Sequence, residues 1–150
     1  MSTSDIEVRQ AQQKEALKTA FVYLLVALFC VLFGAVYEKF SHAVYSYYMI
    51  YAFVFPLVGG TLVFFRIAMS NTEKFPEFYA KLPYHTGIAV LTTGSILHGI
   101  LDIFGTTNRL LKTYFTLGIV LTIIGAALIF VEMKMDVKVS FKTKVGESEQ

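Results

Sequence analysis

Four long apolar runs divide the chain, at about residues 19–37, 46–69, 84–104 and 114–131, with polar or mixed stretches between them. Each run is close to the roughly 20 residues a helix needs to cross the hydrocarbon core of a bilayer. The pattern predicts an all-α integral membrane protein, one domain over residues 1–150. Small residues recur along each span. Ala20, Ala27 and Gly34 lie seven apart on the first. The third carries Gly87, Gly94, Ser95 and Gly99, and the fourth Gly118, Thr122, Gly125 and Ala126. Faces of this kind let backbones approach, which predicts a left-handed four-helix bundle.

The segments around the spans have patterns of their own. Ser4 and Glu7 fit a capping box, and good helix formers follow to Lys18. A polar helix over 5–18 is therefore expected to run unbroken into the first span, as an uncleaved signal anchor. Tyr45, Tyr47, Tyr48 and Tyr51 form an aromatic belt at the start of the second span, and Pro56 with Gly59 and Gly60 predicts a kink near its middle. Phe75, Phe78, Tyr79 and Leu82 follow helical spacing, so a short interfacial helix is expected between spans 2 and 3, ended by Pro83. Over the tail at 132–150, apolar and polar residues alternate from Met133 to Val145, the period of a strand that would pair with another copy or a partner's sheet edge; the other reading of the same stretch is a disordered basic tail attracted to anionic lipid.

The charge distribution sets an expected orientation. With both termini on one side, that side collects ten Lys and Arg residues and the other collects Lys39, Arg109 and Lys112. The positive-inside rule then places both termini and the middle loop in the cytoplasm, with the plasma membrane as the expected compartment. The composition agrees with a membrane solvent: 55% of residues are hydrophobic and 16% charged. Cys30 is the single cysteine, which excludes an intrachain disulfide, a dithiol redox pair and a multi-cysteine metal site.

Candidate chemistry gathers on the third span. Thr92, Thr93, Ser95, His98 and Asp102 are polar or ionisable groups in a run that otherwise suits hydrocarbon, and such groups are costly unless they face protein. They could line a polar path for a substrate or ion. His98 and Asp102 are four apart, as are Glu38 and His42 at the matching end of the first span. Two imidazoles and two carboxylates could hold a divalent metal, whereas plain structural pairing of Asp102 with His98, Arg109 or Lys39 needs no ligand. Haem is disfavoured, because His85 and His98 find no partner histidines on the other spans and only His42 remains. His85, beside Tyr84, reads as a residue of the membrane surface. No phosphate loop, nucleophile elbow or zinc-protease motif occurs. The Lys-rich tail lacks the charge density of a nucleic-acid patch.

Three functions follow as expectations. The first is a non-enzymatic protein acting by association, as a homo-oligomer or an accessory subunit, with membrane lipids and a membrane-protein partner around it. The second is ion or substrate handling along the third span. The third is metal binding through Glu38, His42, His98 and Asp102.

Overall fold

The computed structural model describes residues 3–41, 44–70, 78–106 and 108–147, with side chains described between Ile6 and Lys134. Four of its helical stretches are long and apolar enough to cross a membrane, so the chain is a multi-pass membrane protein. Helix α1 (Thr3–Phe40) is a single element of 38 residues. The polar segment before Thr19 continues into the first span as expected, although the helix begins ahead of Ser4. The second span is irregular: α2 (Tyr47–Ile50), a π-helical segment (Phe55–Leu62) and α3 (Val63–Met69). Helices α4 (Phe78–Ile103) and α5 (Leu110–Glu147) complete the chain.

Two expected elements are replaced. The residues of the interfacial helix that are described, from Phe78 to Leu82, form the start of α4, which runs through Pro83 without a break. Residues 71–77 lie outside the described part. The carbonyl that loses its helical donor at Pro83 is that of Tyr79, a strongly exposed residue near the beginning of the helix, so water or headgroups can satisfy it. The second correction concerns the tail. No strand occurs among the described residues, and α5 continues to Glu147. A strand would need a partner for every backbone group. A helix already nucleated in the bilayer adds one internal hydrogen bond per residue, so propagation overrides the alternating side-chain pattern.

The turn between α4 and α5 is tightly specified. Gly105 adopts φ 70, a left-handed conformation suited to glycine, and the Thr106 N–H donates to the Leu101 carbonyl at 2.9 Å. Asn108 then caps α5, its side-chain oxygen accepting from the Leu110 N–H at 2.9 Å.

The helices pack as a row. Helix α1 contacts the second span, the second span contacts α4, and α4 contacts α5; among the described residues α5 meets neither α1 nor the second span closely along its backbone. Glycines set each contact. A Cβ on Gly118 would lie 2.7 Å from Leu91 Cγ, and one on Gly87 or Gly125 would collide with the backbone of Thr122 or Tyr84. Gly99 has the Met49 backbone nitrogen at 2.9 Å from its would-be Cβ, while Gly34 faces Met49 from the other side at 3.5 Å. The core of the row is Phe64, Tyr84, Ile88 and Ile129 with the small Ala20 and Ala80.

This packing predicts that Gly125→Leu lowers stability by more than about 1–3 kcal/mol, the usual cost of overpacking, because its neighbour is backbone and cannot give way. Gly94→Ala, whose Cβ would meet Tyr114 Cβ at 3.4 Å, should stay within about 1 kcal/mol of the parent. Thermal unfolding of both variants in mild detergent checks the difference.

Candidate functional site

Polar groups inside the row form two centres, one toward each end. The first lies where α1, the π segment, α3 and α4 meet. Pro56 contributes no N–H and spoils regular winding, and the chain responds with the wider π-helical turns up to Leu62. The backbone groups this loosens must be satisfied by neighbours when the solvent is lipid. Tyr84 on α4 supplies one such bond: its hydroxyl donates to the Gly59 carbonyl at 2.5 Å. Gly60, one residue on, leaves room for the Tyr23 ring of α1, which a Cβ there would strike.

Tyr23 connects this kink to His85. Its hydroxyl lies 2.5 Å from His85 Nδ1, with donor and acceptor set by the histidine tautomer. Phe64, fully buried, stacks on His85 at 5.0 Å and 10° and on Tyr23 at 5.9 Å. His85 is thus a half-buried member of an aromatic cluster joining three spans. Sequence reasoning also missed Tyr23. The available signal was a single hydroxyl-bearing ring inside a run of Phe, Val and Leu, a group that seeks a hydrogen-bond partner when buried.

The second centre contains the residues singled out on the third span. His98 is half-buried and stacks on Tyr48 with ring centroids 3.7 Å apart, and it meets Phe115 of α5 edge-on at 6.1 Å. Tyr48 thus serves as a platform for the imidazole. Ser95, one turn earlier on α4, donates from Oγ to the Tyr48 carbonyl at 2.7 Å, fixing the start of the second span against α4. Thr92 donates to its own helix at the Ile88 carbonyl, at 2.8 Å. Thr93 is exposed on the outside of the row, and so is Asp102 in the last turn of α4. The five groups do not form one file. The hydroxyls of Thr92 and Ser95 are already committed to carbonyls, and Thr93 and Asp102 face outward.

Three polar atoms around this end are buried and without a hydrogen-bond partner among the described residues: His98 Nδ1, Ser46 Oγ and Glu38 Oε1. Ser46 is fully buried at the start of α2. Glu38 is half-buried in the last turn of α1, where the Ser41 hydroxyl lies 2.8 Å from its carbonyl and 2.7 Å from that of Val44. Of the four candidate metal ligands, Glu38, His98 and Asp102 do not assemble into a metal-sized group, and His42 lies outside the described residues. Chemically, the centre offers an imidazole held by stacking, with a nitrogen open to a proton or a small polar guest.

His98→Phe should keep the stack on Tyr48 while removing a buried nitrogen that has no partner, and so leave stability unchanged or raised. His98→Ala loses the ring contacts and should cost about 2 kcal/mol or more. Paired unfolding curves in detergent distinguish the two; a Phe variant as unstable as the Ala variant would mean that Nδ1 is satisfied.

Comparison of the chain with protein-family models, with curated proteins and with solved structures finds no match.

Proposed function

We propose that this protein is a non-enzymatic membrane subunit that acts by association, as a homo-oligomer or an accessory part of a membrane complex. In this reading it is a left-handed bundle of the plasma membrane with both termini in the cytoplasm. The observation that carries the proposal is the length of the terminal helices. Each of α1 and α5 has 38 residues. At 1.5 Å rise per residue that is roughly 57 Å, against a hydrocarbon core of about 30 Å. The excess projects beyond the bilayer at the end where the Lys and Arg residues gather. Among the described residues the backbones of the two helices do not come close to each other, and Ile6, Val8 and Leu17 stand exposed on α1. A lone helical turn in water is only marginally stable, so a projecting helix with apolar side chains favours a partner surface.

The small-residue stripes support association less than the sequence suggests. Ala16, Ala20, Ala27 and Gly34 are buried within the row, and the glycines of α4 and α5 are spent on neighbouring spans. The projecting helices are what remains available.

A second reading, ion or substrate handling at the other end, is favoured by the unpartnered His98 Nδ1, Ser46 Oγ and Glu38 Oε1. Buried polar atoms without partners mark places where water or a guest can sit.

A photo-crosslinking residue at Val8 should yield a discrete higher-mass species in the native membrane, and deletion of residues 3–14 should abolish association while the spans still insert. A chain that stays monomeric and partnerless there would overturn the first reading. For the second, His98→Phe, which keeps the stack on Tyr48, should abolish flux in vesicles at unchanged expression, whereas the outward-facing Asp102→Asn should not; normal transport by His98→Phe would end it.

A further inference from the structure

An open row leaves an inner face uncovered. Between the second half of span 2 and α5 runs a groove of about 830 Å³. Its walls include Val58, Leu62 and Ile67 on one side and Ala126 and Phe130 on the other, with Tyr84 of α4 between them. Arg66 is the one charged residue among those that line it.

The position of the groove identifies its surroundings. Both walls belong to helices apolar enough to cross a membrane, and among the described residues no other helix closes the gap. The groove therefore opens sideways onto acyl chains. A volume this large, comparable to that of a ligand pocket, is filled by whatever the adjacent solvent supplies. The charge narrows the occupant. Arg66 lies in the last turn of α3, three residues before Met69, which puts its guanidinium at headgroup depth. Among the described residues it has no carboxylate partner. A guanidinium matches a phosphate diester through paired N–H donors, and an apolar groove beneath it matches the attached chain.

We propose that this groove binds an anionic glycerophospholipid, with the headgroup phosphate on Arg66 and an acyl chain laid between span 2 and α5. The choice of a lipid over a partner helix rests on the single cation at the mouth, which a hydrophobic helix would leave uncompensated. The site lies within the membrane-spanning parts of the helices, apart from the projecting ends of α1 and α5, so it holds whether or not the protein associates.

The test uses the full chain in mild detergent, with bound lipid counted by native mass spectrometry during titration with phosphatidylglycerol or with phosphatidylcholine of the same acyl chains. The parent should prefer phosphatidylglycerol by about fivefold, the effect of one basic residue at the membrane surface. Arg66→Gln should bind both lipids equally, and Arg66→Lys should keep part of the preference. Ala126→Phe and Val58→Phe, which fill the groove from opposite walls at exposed positions, should reduce the binding of both lipids with helix content unchanged by circular dichroism. Equal binding by the parent, a preference that survives Arg66→Gln, or normal lipid binding by both Phe variants would overturn the proposal. Displacement of the lipid by millimolar inorganic phosphate would also overturn it. So would a disulfide between two copies carrying Ala126→Cys in a Cys30→Ala background, since that would assign the groove to a second chain.

Discussion

In hydrocarbon, an apolar side chain gains little by exchanging lipid for protein, so helices hold together through close van der Waals contact and hydrogen bonds. Here the close contact is made where side chains are absent. Helix α4 presents two such faces: Gly87 toward α5 and Gly99 toward the start of span 2. Helix α5 presents one, through Gly118 and Gly125, and α1 presents one, through its alanines and Gly34. The number of these faces accounts for the row. A helix with one close-packing face takes one neighbour, and α1 and α5 therefore stand at the edges.

Span 2 departs from regular winding, and that departure organises the interior. Pro56 and the π segment release backbone groups that lipid cannot satisfy. Tyr84 answers with a hydroxyl, and the bare surface of Gly60 admits Tyr23. Tyr23 in turn reaches His85, and Phe64 is held between the rings. The kink thus becomes a junction of α1, span 2 and α4. Toward the other end, Ser95 and His98 grip Tyr48 in a similar way, one by its carbonyl and one by its ring.

The number and approximate limits of the spans are legible in the sequence because the bilayer imposes one length on every crossing. The small-residue faces are legible as well, since glycine and alanine at helical spacing have a direct geometric use. The identity of the neighbours is not. Spacing shows that Gly99 is bare without showing that Met49 fills the gap. His85 and Tyr23 are 62 residues apart, and nothing local to either marks the other. The alternating tail misleads for a different reason: side-chain period is a weak signal beside a helix already growing out of the membrane. The polar residues of the third span all fall on one helix, but helical position leaves open which hydroxyls bond backward to their own carbonyls, as that of Thr92 does.

The close backbone packing of α5 against α4 reaches back to synthesis. Translation delivers the fourth span after the first three, and until then the flank of α4 bearing Gly87 lacks the helix that covers it. A half-made chain therefore carries a bare glycine ridge that its own later span is shaped to cover. The arrival of α5, rather than of a ligand, is what hides that ridge.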